Sequence, residues 1–249
     1  MKLTLKLKKA IQSHAMESYP RESCGVIVNR EYLPCRNIAE SNDQFEIHPV
    51  DIAAAEEKGE IEAIVHSHPN STATASELDL KQIEIHGKPW VICSYPDIDF
   101  QVYKPNGYSA PLVGRNYFHG WQDCYSLICD FYKRELGIAL MDFERVDAWW
   151  EDPGHASLYL ENYQNTGFYE VDVPQYGDMI ICRVGRTEHP NHAVIWLGDK
   201  GKLQSEETEP CFGSSLILHH PYGRKSVREI YGKQWLDRTE KILRHKRVK

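Results

Sequence analysis

Apolar positions along the chain change period several times, and the changes mark out its elements. Residues 4–18 place Leu5, Ala10, Ile11, His14 and Ala15 at helical spacing, and the pattern stops before Tyr19-Pro20. Short apolar runs at 24–29 and 32–35 predict strands, followed by a helix over about 50–58. The strand from Glu62 to His66 precedes a predicted helix at 76–86, and strands at 91–95 and 100–103 close this half as an α/β unit. Residues 104–111 are rich in turn formers and read as a linker. The pattern then restarts: a helix at 124–136, an aromatic-rich helical stretch at 148–164 broken by Pro153-Gly154, and strand-like runs at 179–184, 192–197 and 215–219. A final helix is predicted at 226–246. Helix first and sheet afterwards is an α+β pattern. The chain is thus expected to hold two domains, 1–106 and 107–249.

Composition narrows the function classes. At 249 residues, 41% apolar and 26% charged, the chain has the make-up of an ordinary soluble protein. A net charge of -7 argues against nucleic acid as a main partner, and the basic run from Lys241 to Lys249 reads as a solvated helix end. No run of 18 apolar residues predicts a membrane span, and the charged first residues do not resemble a signal peptide. The seven cysteines show no framework spacing, which suits a reducing cytoplasm, and all but Cys124 are expected to pack as small buried hydrophobes.

Two stretches carry chemistry. His66 and His68, two apart near the end of a strand, should leave the same face and can chelate one ion. Ser76 and Asp79, three apart at a helix start, can face one pocket. Two histidines and one aspartate leave a fourth tetrahedral position for water, as catalytic zinc sites do. The same Ser-x-x-Asp spacing also fits a simple capping box. In the second half, Cys124 follows Asp123 at a helix start, where unpaired N–H groups and the helix dipole favour a thiolate while the Asp123 charge opposes it. His192 opens a later strand, from which its imidazole can serve that sulfur as general base.

The spacing His66-x-His68-(x7)-Ser76-x-x-Asp79 resembles the motif of the JAMM (MPN) zinc peptidases. That resemblance implies a Zn2+ ion held by His66, His68 and Asp79. It also implies Glu22, ahead of the strand at 24–29, as general base, and Ser76 as donor to the developing oxyanion. Asp123-Cys-Tyr-Ser-Leu-Ile128, Tyr176-Gly-Asp-Met-Ile180 and His192-Ala-Val-Ile-Trp-Leu-Gly198 resemble the NlpC/P60 papain-like cysteine peptidases. This second resemblance implies Cys124 as nucleophile, His192 as base, and a third polar residue that orients the imidazole. His219, on the following strand, is chosen for that role, with Gln204 as the alternative.

A JAMM half followed by an NlpC/P60 half resembles the tail tip assembly proteins of lambda-like tailed phages. It implies tail tip proteins as partners and a cell-wall peptide, cut at the γ-D-glutamyl–diaminopimelate bond, or a tail protein as substrate. The implied location is the host cytoplasm during assembly and the virion tail tip. Two other readings stand beside this one: an assembly factor whose sites do not turn over, and a deubiquitinase-like isopeptidase, against which the thiol half weighs.

Overall fold

In the first half, the strand residues sort by parity onto the two faces of a five-stranded sheet. The computed structural model describes residues 1–248, which divide into two compact units meeting between Ser109 and Ala110. In the first unit α1 (Leu5–Ser18) begins at Thr4, whose side chain accepts the Leu7 N–H, and buries Leu7, Ile11 and Ala15 along one stripe. It is followed by β1 (Cys24–Val28), β2 (Glu31–Cys35), α2 (Pro49–Glu56), β3 (Ile61–Pro69), α3 (Glu77–His86), β4 (Trp90–Tyr95) and β5 (Phe100–Tyr103). The strand order is β2-β1-β3-β4-β5, and only β3 and β4 run parallel. The α/β character therefore rests on the one β3-α3-β4 crossover, and the rest of the sheet is antiparallel.

Every residue of β1 is buried. Ile27 packs with Leu7, Ile11 and Ala15 on one face, while Cys24, Val26 and Val28 pack with Ala55 on the other. Full burial of an Ile or Val side chain stabilises by about 1.5–3 kcal/mol, so this two-sided strand anchors the unit. Gly25 is required here. A Cβ at that position would lie 2.4 Å from the Leu33 carbonyl oxygen and 2.6 Å from the Tyr32 ring.

The second unit opens with α4 (Cys124–Glu135), which buries Leu127, Ile128, Phe131 and Tyr132 and packs on the sheet. Then come α5 (Leu158–Asn162), β6 (Phe168–Glu170), β7 (Met179–Cys182), β8 (His192–Gly198), β9 (Leu216–His219), β10 (Val227–Ile230), α6 (Lys233–Leu236) and β11 (Thr239–His245). The sheet order is β10-β9-β8-β7-β11-β6, antiparallel throughout.

The expected helix at 226–246 is not there. Two strands flank a single helical turn, and the basic run forms much of β11 rather than a helix end; Lys249 lies outside the described residues. The charges that suggested a helix are answered across the sheet instead. Lys241 pairs with Glu170 at 2.6 Å, Arg244 with Asp178 at 2.7 Å and Glu240 with Arg183 at 2.8 Å. Tertiary pairing overrides local helix propensity. The stretch 148–164 is also less helical than expected, with a 3-10 turn at Trp149–Glu151 and the short α5.

Of the six cysteines expected to be buried, Cys24, Cys35, Cys93 and Cys182 are, whereas Cys129 and Cys211 are half-buried; all seven thiols are free. No helix among the described residues is long and apolar enough to cross a membrane.

Candidate metal centre and thiol cleft

Because β3 alternates its side chains, His66 and His68 leave one face of the strand and Ser67 the other. Ser67 pins the neighbouring segment: its hydroxyl accepts the Ser23 N–H at 2.8 Å, and its own N–H donates to the Ser23 carbonyl at 3.0 Å. That clamp sets Glu22 beside the histidines. Ligand atoms of Glu22, His66 and His68 all lie within 4.8 Å of one another, and this trio can hold a metal ion.

His66 is fully buried, stacked on Phe45 at 4.6 Å and edge-on to Trp90 at 5.4 Å. Its Nε2 lies 3.0 Å from His68 Nε2. Asp79 Oδ1 is 3.3 Å from His66 Nε2, and Asp79 Oδ2 is 3.4 Å from His68 Nε2. The capping box is present as well. Asp79 Oδ2 accepts from the Ser76 N–H at 2.7 Å and from the Ser76 hydroxyl at 2.8 Å, while Ser76 Oγ accepts the Asp79 N–H at 3.1 Å. The helix cap and the convergence on the histidines are one arrangement, with the cap aiming the carboxylate.

This donor set fits zinc. Donors bound at about 2.0–2.1 Å in a tetrahedron stand about 3.3–3.4 Å apart. His68 Nδ1 lies 2.9 Å from the Thr72 carbonyl; with that nitrogen as donor, the Nε2 lone pair is left for a metal. His66 Nδ1, by contrast, is buried without a partner. Burial pushes the Asp79 carboxyl up, but hydrogen bonds from His66 and His68 outweigh it and hold the group far below the usual carboxylate range. Burial pushes Glu22 up to about 8, with His68 opposing and Asp79 adding to the shift.

In the second unit, Asp123 caps α4. Its carboxylate accepts the Ser126 N–H at 2.9 Å, and its own N–H donates to Ser126 Oγ at 2.7 Å. Its other oxygen takes Arg145 Nε at 2.7 Å and the Gly120 N–H at 3.0 Å. Cys124 is buried at the helix start. Burial, with Asp123 second, pushes its thiol up to about 11. Burial and the Asp123 charge thus both oppose the thiolate that the helix start favours.

Cys124, His192 and His219 line one cleft of about 790 Å³. His192 Nε2 lies 3.1 Å from His219 Nδ1, and the Trp235 ring packs on both imidazoles at 5.7 and 4.8 Å. His219 Nε2 faces Glu229 Oε1 at 3.6 Å, and Glu229 also accepts from Trp235 Nε1. Burial drives His192 well below the usual imidazole range and His219 down to about 4. It is His219 that meets His192. The exposed Gln204 sits in a loop tied to α4, where its N–H donates to Glu135 at 2.9 Å.

Three cleft residues escaped the sequence reading. Arg145 and Tyr159 belong to no recognisable motif, and Tyr159 OH lies 3.2 Å from Cys124 Sγ. Glu229 was hidden by the helix expected at 226–246. Read as a strand, that segment would have placed Glu229 beside the histidine strand.

Residues 4–103 match the family of prokaryotic homologs of the JAB domain, and residues 114–244 match the NlpC/P60 family. The fold and sites thus define a two-domain protein built from two peptidase-family folds, in the order the motifs implied. The chain is 39% identical over 247 residues to tail tip assembly protein K of Escherichia phage N15, covering 96% of this chain and 94% of that protein. It is 37% identical over 201 residues to tail tip assembly protein K of Escherichia phage lambda, covering 80% and 88% respectively. The chain belongs to the tail tip assembly protein K family. Among solved structures, a JAB1/MPN domain protein from Archaeoglobus fulgidus aligns over 45% of this chain and 94% of its own, at 23% identity and a TM-score of 0.29.

Proposed function

We propose that this phage tail assembly protein hydrolyses amide bonds at two sites, one zinc-dependent and one thiol-dependent. The observation that carries the reading is the convergence of His66, His68 and Asp79 with Glu22 alongside. Zinc held by His66, His68 and Asp79 would supply Lewis acidity toward a scissile carbonyl and toward water. Glu22, buried beside the two histidines, takes a proton from the attacking water and passes it to the leaving amine. Ser76, whose hydroxyl rests on Asp79, is assigned to the developing oxyanion.

At the second site Cys124 Sγ gives its proton to His192 as it attacks the amide carbon. The protonated His192 then hands the proton to the departing amine, and water hydrolyses the thioester to restore the thiol. His219 holds the imidazole through its contact with Nε2. Burial disfavours the charged form of both Cys124 and His192, which supports a neutral resting pair in which proton transfer accompanies attack. The substrate is a cell-wall peptide, cut at the γ-D-glutamyl–diaminopimelate bond, or a tail tip protein. The partners are other tail tip proteins, met in the host cytoplasm during assembly and at the virion tail tip.

The test is incubation of the full chain with peptidoglycan and, separately, with tail tip proteins, with Glu22→Gln, His68→Ala and Cys124→Ala in parallel and bound metal measured by elemental analysis. Glu22→Gln is expected to keep zinc and lose metal-dependent cleavage; loss of zinc would make Glu22 a ligand instead. If no variant changes any cleavage, the enzyme reading fails. A second reading, an assembly factor with silent sites, is favoured at the thiol by the burial of Cys124 beneath Tyr159. Normal particles from catalytically dead variants would support it.

A further inference from the structure

The geometry points to Tyr159 as a further catalytic residue of the thiol site: its hydroxyl is the hydrogen-bond donor that receives the Cys124 sulfur as it becomes a thiolate. This rests on the thiol-peptidase reading above. Tyr159 OH lies 3.2 Å from Cys124 Sγ, within hydrogen-bond range for sulfur, and Cys124 is the only partner found for that hydroxyl among the described residues. While the sulfur is protonated, either atom can donate. Once the Sγ proton has passed to His192, the sulfur can only accept, and the contact becomes a donation from the phenol.

The donor is held in place. Tyr159 sits on α5 with its ring against Tyr125 at 6.0 Å and Trp149 at 6.1 Å, and only 7% of the residue is exposed. Burial keeps its own ionisation well above the usual phenol range, so the hydroxyl keeps its proton wherever the thiolate forms.

The other groups that bear on the sulfur do not duplicate this role. Asp123 opposes a thiolate, and Arg145 is spent on Asp123. Tyr117 has its hydroxyl against His119 Nδ1 at 3.1 Å, and Cys182 is another buried thiol. The Ala193 N–H contributes a weaker backbone contact, and in the proposed mechanism His192 takes the proton rather than donating to the resting sulfur.

The experiment is Tyr159→Phe in the full chain, which keeps the ring and removes only the hydroxyl. Alkylation of Cys124 by iodoacetamide is followed by peptide mass mapping across pH. The plateau rate at high pH reports access, and the midpoint reports the thiolate. Loss of a hydrogen bond to a charged group should raise the midpoint by about one to two pH units. On a peptide that the wild type cleaves, kcat should fall by about 10- to 100-fold with KM nearly unchanged. Tyr125→Phe is the control: its hydroxyl donates to the Met141 carbonyl at 2.8 Å, and the midpoint should stay put. An unchanged midpoint in Tyr159→Phe overturns the proposal. A raised midpoint in a protein whose wild type cleaves nothing would leave the donor contact standing and refute the peptidase reading instead.

Discussion

Asp123 is almost fully buried and still charged, and Arg145 is what makes that tolerable. Their side chains are 2% and 5% exposed and meet at 2.7 Å, with Arg145 also reaching the Gly120 carbonyl at 3.1 Å. Removing one partner of such a pair strands the other charge, which typically costs about 3–5 kcal/mol. Arg145→Ala is therefore expected to lower the urea midpoint of the second unit sharply, and Asp123→Asn in the same chain should recover part of the loss, as a double-mutant cycle would show.

The buried histidines give a second residue-scale expectation. Burial holds His219 and His220 each at about 4, against about 6.5 unfolded. Between those values the unfolded chain binds more protons, so stability rises with pH through the window and is lost as pH falls from about 6.5 toward 4. Each group contributes about 1.4 kcal/mol per pH unit within it. Urea midpoints at pH 7 and 5 should show the drop, and His220→Gln should lessen it; an equal drop in that variant would remove His220 from the account. At this scale the sequence is most legible where spacing fixes geometry. His66, His68 and Asp79 could be placed from a strand period of two and a helix start. Arg145 and Tyr159 could not: Arg145 lies on irregular chain that no period describes, and Tyr159 lies on the short α5, whose spacing to Cys124 no motif fixes.

At the scale of elements, α3 does two jobs with one turn. Ser76 caps it, and the cap orients Asp79 toward the histidines. The two roles separate by substitution. Ser76→Ala should cost about 1 kcal/mol of stability, whereas Ser76→Gly, with an equally absent hydroxyl, should cost only a few tenths. If both variants lose metal-dependent cleavage alike while differing in thermal midpoint, the hydroxyl serves the chemistry. If cleavage tracks the midpoint, it serves only the cap. The segment 226–246 shows the limit of element prediction. Its many charges look like the polar face of a helix until Glu170 at the end of β6, and Asp178 and Arg183 on either side of β7, answer them. Gly232, a poor residue for a helix interior, was the local sign against an unbroken helix.

At the scale of the whole molecule, the two sites share no residue and draw on different chemistry. The proposed metal ligands and Glu22 fall between 22 and 79, the proposed thiol residues between 123 and 229, and each unit has its own buried clusters. Sites without shared partners perturb independently, so their losses should add. A chelator is expected to abolish cleavage at the first site while leaving the rate of Cys124 alkylation unchanged. Iodoacetamide should abolish thiol-dependent cleavage and leave the bound zinc in place. Mapping the products of one substrate mixture under each reagent, and under both, checks this directly. Two product sets that vanish independently mean two working sites. A single set lost to either reagent would mean that one site depends on the other, and His68→Ala and Cys124→Ala would then fail on the same substrate. If tail assembly in turn survives both reagents, the geometry of the two constellations serves the fold of this assembly protein rather than its chemistry.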